Sequence, residues 1–192
     1  MRKQKISKKT IFGLVWLIIL VRKVGFLWIY GGSIYWQEWL ALGWLVMAFV
    51  IGAISLLADR ILDIYVVNPD SKLAIFCKRY IEQGKKMEAM MILLKNKNLQ
   101  KRLYMHSALF QIAWVGLAIL AVMSSSSYFG KGYVMGLGLW LLLTQWEEYL
   151  IDKKDFRDRF FWQINAKIST RDLKIYLIAM SLTWLWLMMK VI

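Results

Sequence analysis

Apolar runs of membrane length alternate with short polar intervals along the chain, and one interval, from Asp59 to Tyr104, is much longer than the others. The first run, Ile11 to Tyr30, would extend about 30 Å as a helix, matching a bilayer's hydrocarbon core. Gly31, Gly32 and Ser33 then break the helix. The pattern predicts further spans at about 39–58, 104–123, 132–150 and 173–189. The last, at roughly 17 residues, is at the short end for a crossing.

The polar intervals change period. Asn68, Pro69, Asp70 and Ser71 read as a helix start, with short polar caps and a proline tolerated near the first turn. Leu73, Phe76, Cys77, Tyr80 and Ile81 then recur at helical spacing, with Lys72, Lys78, Arg79 and Glu82 off that face. Gly84 stops this helix, and a second, from Lys85 to Lys95, sets Met87, Met90, Met91 and Leu94 on one stripe. Residues 70–95 therefore predict a helical hairpin beside the membrane. Phe156, Phe160, Phe161 and Ile164 share one side of 153–165, an expected interfacial helix. Ser169 and Asp172 resemble a capping box ahead of the last span.

A single proline favours long unbroken helices, and continuous rather than alternating apolar runs argue against a membrane barrel. The expected fold class is all-α: a polytopic α-helical membrane protein with about five transmembrane helices and a cytoplasmic helical hairpin. We expect residues 1–192 to form one integral membrane domain without internal repeats.

Composition strengthens this picture. The chain is 59% apolar with a mean hydropathy of +0.48, whereas soluble domains sit near about 45–50%. The net charge of +14 would suggest nucleic acid if spread over a soluble surface, but its distribution points elsewhere. Of 26 Lys and Arg, five precede residue 10, ten lie from Arg60 to Arg102, and seven from Lys153 to Lys174. Basic segments adjoining apolar runs mark the cytoplasmic side and face anionic lipid headgroups, at about 1 kcal/mol per residue near the surface. The expected setting is the cell membrane, multi-pass, with the N-terminus cytoplasmic and no nucleic-acid partner. The basic start and apolar run also resemble a secretory signal, but no small-residue cleavage site follows and Arg22 and Lys23 interrupt the run. Tyr35, Trp36 and Trp39 around Glu38 suggest an aromatic belt at the outer interface.

The candidate chemistry is sparse. Arg22 and Lys23 fall near the bilayer midplane, where each costs roughly 2.5–3.5 kcal/mol, so they either snorkel outward or line a polar groove. His106 and Gln111 are further intramembrane polar candidates near the inner end of the third span. Asp59, Asp63, Glu147 and Glu148 form a candidate inner-face acidic cluster. Such carboxylates could hold a divalent cation, do acid–base work, or be neutralised by Arg60, Lys153 and Lys154. Ala48 with Gly52, and Gly132 with Gly136, are small-residue pairs suited to helix packing. The methionine stripe offers an adaptable apolar surface.

One cysteine and one histidine close the disulfide, zinc-finger and haem-attachment readings, and no phosphate-binding glycine loop or HExxH is present. Ser124 to Ser127 lack a nucleophile elbow, and the sole His is expected across the bilayer from them. We therefore expect no catalytic residue, metal or cofactor. The expected role is a non-enzymatic scaffold or assembly subunit with basic cytoplasmic loops, forming a homo-oligomer or packing on a membrane partner subunit. The alternative is a small transporter or insertase-like protein with a polar groove around Arg22 and Lys23. The layout of a basic pair in the membrane and a methionine-bearing hairpin loosely resembles membrane insertases, without a matching signature motif. A lipid-acting enzyme would need Asp59, Asp63, Glu147 or Glu148 to share one cleft.

Overall fold

A computed structural model describes residues 36–96, 99–100, 103–124, 127–164 and 168–191. The expected span 11–30, Arg22, Lys23, Tyr35, and the side chains of Glu38 and Trp39 lie outside the described residues. Among the described residues the protein is all-α, with seven helices. Helix α1 (Trp36–Leu62) runs into a π-helical segment, Asp63–Val67. The hairpin helices α2 (Lys72–Glu82) and α3 (Lys86–Lys95) follow. Then come α4 (Ala108–Met123), α5 (Tyr128–Ile151), α6 (Lys153–Phe160) and α7 (Thr170–Val191).

Short polar side chains start most of these helices by accepting N–H groups that have no intrahelical partner. Ser71 accepts from Ala74, Ser107 from Phe110, Ser127 from Gly130, Asp152 from Lys154 and Asp155, and Ser169 from Arg171. Each such cap contributes about 1 kcal/mol. Gly84 ends the first hairpin helix with φ +78°, a conformation a Cβ would strain.

Boundaries differ from the hydropathy pattern where polar residues continue a helix or leave it early. Helix α1 extends past 58, α5 begins before Gly132, and α7 exceeds 173–189 at both ends. Helix α4 starts at Ala108 rather than Tyr104, because 104–107 turn aside to bond α1. The expected interfacial helix 153–165 ends at Phe160, its C-cap Phe161 bonding back to Arg157.

Helices α1 and α5 make the broadest helix–helix contact and run parallel. The backbone of Gly132 lies against Leu45, and that of Gly136 against Phe49, at one constant register. Gly52 meets the backbone of Tyr133 and Leu137 from the other side, and Ala48 is fully buried in the seam. The two small-residue pairs expected from sequence are thus halves of one close crossing.

Helices α4 and α7 run antiparallel to α5. Trp114 Nε1 donates to the Val134 carbonyl, while Gln111, a turn earlier, reaches Gln145, further along α5. Trp184 Nε1 donates to the Met135 carbonyl and Trp146 Nε1 to Ser181 Oγ. One end of the bundle consequently gathers the end of α1, the start of α4, the end of α5, helix α6 and the start of α7, with the hairpin alongside. Of the described Lys and Arg, Lys131 and Lys190 alone lie at the other end.

Among the described residues, two helices are long and apolar enough to cross a membrane, over Leu40–Val67 and Thr170–Val191, their most apolar stretches averaging hydropathy 2.4 and 1.3. Helix α4 is apolar but has 16 residues. Helix α5 has 24 residues yet carries Lys131, Gln145, Glu147 and Glu148, and its buried positions surround most of its circumference. Its neighbours shield it, so it need not be apolar all round.

The hairpin's faces depart from expectation. Helix α2 buries Ala74 and Cys77 while Phe76 is 45% exposed. Helix α3 buries Ala89 and Leu93, leaving Met87 and Met91 outward at 73% and 57% exposure. Close approach of two short helices favours the small face, here packed on Ile64 of the π-helical segment.

Candidate functional site

The end of α1 presents Asp59 and Arg60, and the π-helical segment opens with Asp63, one turn after Asp59. All three are buried. Buried charges require hydrogen-bonding partners, and Gln100, Tyr104, Met105 and His106 supply most of them.

Gln100, 2% exposed, is the hub. Its Oε1 accepts from Arg60 Nη1 at 3.0 Å, and its Nε2 donates to the Arg60 carbonyl and to Asp63 Oδ2, each at 3.0 Å. Asp63 also accepts from Asn68 Nδ2 at 2.7 Å. Asp59 receives the backbone N–H groups of Tyr104 and Met105 at 3.2 and 2.9 Å, and His106 Nδ1 lies 3.0 Å from its Oδ2. A carboxylate accepts only, so Nδ1 carries the proton and Nε2 faces away from Asp59.

From α5, Glu148 approaches Arg159 Nη1 of α6 at 3.4 Å, and Arg159 Nη2 reaches Asp155 at 3.0 Å. Glu148, Asp59, Asp63 and Arg159 are the charges that act on Arg60. The acidic candidates of α1 and α5 are therefore brought to one place. Their partners, however, are Arg60, Arg159, Gln100, Asn68 and His106. Of the cations expected to neutralise them, Arg60 lies in the cluster, and Lys153 Nζ stands 5.3 Å over the Tyr149 ring.

Glu147 points to a cavity of about 270 Å³ lined by Leu56, Leu57, Arg60, Leu94, His106, Trp140, Thr144 and Glu147. Its walls divide into an apolar half and a charged half. Among the described residues, no three His, Cys, Asp or Glu side chains gather to hold a metal ion.

Gln111 is not with His106 in this cluster. It is fully buried and pairs reciprocally with Gln145, at 3.0 and 3.2 Å, while Tyr176 Oη donates to its Oε1 at 2.9 Å. One polar knot thus ties α4, α5 and α7 across an otherwise apolar interior. Ser124 and Ser127 terminate helices at the opposite end from His106. Gln100 and Arg159 went unrecognised in sequence: Gln100 sits in a basic loop without periodicity, and the only local hint for Arg159 is Asp155 four residues earlier.

No protein-family model matches the chain, and no curated protein or solved structure matches it either.

Proposed function

We propose that this chain is a multi-pass membrane protein acting as a non-enzymatic scaffold: a lipid-embedded bundle that carries basic helices on its cytoplasmic side. The observation that carries this reading is the row of large apolar side chains on the outer surface. Helices α1, α4 and α7 turn outward Leu40, Trp44, Ile54, Ile112, Leu120 and Leu182, each more than half exposed. The interior, besides its apolar core, holds the Gln111–Gln145–Tyr176 knot and the buried charges. A soluble monomer rarely exposes apolar patches beyond a few hundred Å².

The alternating directions of α1, α4, α5 and α7 suit successive crossings, with 11–30 supplying a fifth. Helix α4 would be about 24 Å long at 1.5 Å per residue, so its crossing requires a locally thinned bilayer. The one-sided basic residues support a cytoplasmic face at the Asp59 end. The acids Asp59, Asp63 and Glu148 are each held by intramolecular partners, an arrangement that suits a structural clasp better than acid–base catalysis.

Single-cysteine accessibility tests the reading directly. In a Cys77→Ser background, Lys85→Cys should react from the cytoplasm and Lys131→Cys from outside. Labelling of both from one compartment refutes the sidedness, and extraction of the protein by alkaline carbonate refutes the membrane assignment itself.

A further inference from the structure

Helix α3 is apolar on two opposite sides. Ala89 and Leu93 turn into the hairpin, where the Cys77 thiol of α2 lies 3.9 Å from the Ala89 carbonyl. Met87, Met91 and Leu94 lie about half a turn around the helix and are exposed. This stripe therefore faces away from α2.

Its surroundings indicate what covers it. Leu94 shares a cavity wall with Leu56, Leu57 and Arg60, so the stripe begins level with the last turns of α1, where Ile54 and Ile61 also face outward. Tyr104, whose N–H bonds Asp59, and Tyr65 of the π-helical segment expose their rings at the same end of the bundle. Aromatic rings with a polar tip favour the membrane–water boundary. Lys86 and Lys95, both exposed, fall roughly a quarter-turn to either side of the stripe. Residues 72–95 carry six Lys and Arg against Glu82 and Glu88. An apolar stripe edged by lysines suits a helix lying in the plane of a leaflet, with its ammonium groups among the phosphates. An acidic protein groove would also satisfy the lysines, but the apolar stripe is continuous with the outward face of α1, which the bilayer covers.

We propose that α3 docks on the anionic lipids of the inner leaflet, with Met87, Met91 and Leu94 among the first acyl methylenes and Lys86 and Lys95 on the headgroup phosphates. Methionine is unbranched and polarisable, so it adapts to chains that have no fixed shape. Helix α2 then rides on the cytoplasmic side, with Lys72 and Arg79 in water. Attraction of the lysines depends on leaflet charge, so the hairpin is held more closely where anionic lipid is abundant. The inference rests on the membrane reading above and names the lipid class that its hairpin contacts.

The test places a nitroxide spin label on Met91→Cys in the full-length Cys77→Ser protein. The protein is reconstituted in vesicles of phosphatidylcholine alone, or of phosphatidylcholine and phosphatidylglycerol in equal parts. Collisions with oxygen, which concentrates in lipid, are compared with collisions with a neutral nickel chelate confined to water. The label should favour oxygen in the phosphatidylglycerol vesicles and shift toward the nickel chelate in phosphatidylcholine alone. A label on Arg79→Cys of α2 should meet the nickel chelate in both. Lys86→Gln with Lys95→Gln should make the phosphatidylglycerol vesicles behave like phosphatidylcholine. All these side chains are exposed, so the hairpin keeps its packing, and Met87→Cys repeats the measurement one turn earlier. A Met91 label that stays aqueous in phosphatidylglycerol vesicles overturns the proposal in favour of a protein partner. Equal lipid contact in both vesicle types, or contact that survives loss of both lysines, overturns the anionic-lipid assignment. Carbonate-resistant protein with an aqueous label sinks the docking alone, whereas carbonate extraction sinks the membrane reading.

Discussion

Replacing Gly136 by alanine adds one methyl group where α5 rests on the backbone of α1. A Cβ at this position would overlap the carbonyl, C and Cα atoms of Phe49. Because the obstacle is backbone, no side-chain rotation relieves it, and the helices must separate along a seam that also holds Gly132 and Gly52. Overpacking of this kind costs about 1–3 kcal/mol, beyond the roughly 1 kcal/mol that alanine gains over glycine in helix propensity. The same substitution at Gly43 on α1 or Gly116 on α4 meets nothing within 4 Å. There only the propensity gain, about 0.5–1 kcal/mol, should register. At roughly 2–4 °C per kcal/mol for a chain of this size, Gly136→Ala should lower Tm by about 2–12 °C while Gly43→Ala and Gly116→Ala raise it slightly. Thermal unfolding in micelles, read by tryptophan fluorescence, measures all three. If Gly136→Ala stabilises as much as Gly43→Ala, the parallel glycine crossing of α1 and α5 is wrong.

The buried amide pair gives a test by non-additivity: Gln111→Leu alone strands Gln145 and Tyr176 Oη, at about 1–3 kcal/mol, whereas Gln111→Leu with Gln145→Leu should cost less than the sum of the single changes. A double-mutant cycle in micelles reads the coupling, and strict additivity would count against the pairing. Asp59→Asn leaves one acceptor where three donors converge, so amide exchange at Tyr104 and Met105 should accelerate while that of α7 is unchanged. Uniform acceleration throughout would instead signal global unfolding. Cys77 is fully buried, and burial pushes its thiol pKa up by disfavouring the thiolate. Maleimide should therefore label it slowly at pH 8 in the native protein and rapidly in denaturant. Because the folded thiol stays protonated while the unfolded one ionises, native stability should fall as pH rises past the ordinary thiol value. Fast native labelling would contradict the packing of Cys77 between α2 and α3.

Sequence alone determined the helical character of this protein and the grouping of its charge. Uninterrupted apolar runs, short polar caps such as Ser71, and Gly84 act within a few residues of themselves, so they are legible one stretch at a time. The tertiary structure alone decided which elements meet. Gly132 and Gly136 could have packed on any small face, and only the fold pairs them with Leu45 and Phe49 of α1. Gln111 and Gln145 are 34 residues apart, and Arg60 and Gln100 40 apart, with nothing in either segment naming its partner. It likewise turned the methionine stripe outward, because the hairpin closes on its small residues, Ala74, Cys77 and Ala89. Hydropathy is a sum over neighbours in the chain, while the partners of buried polar groups are set by which helix faces touch, and that choice is made only when the whole bundle packs.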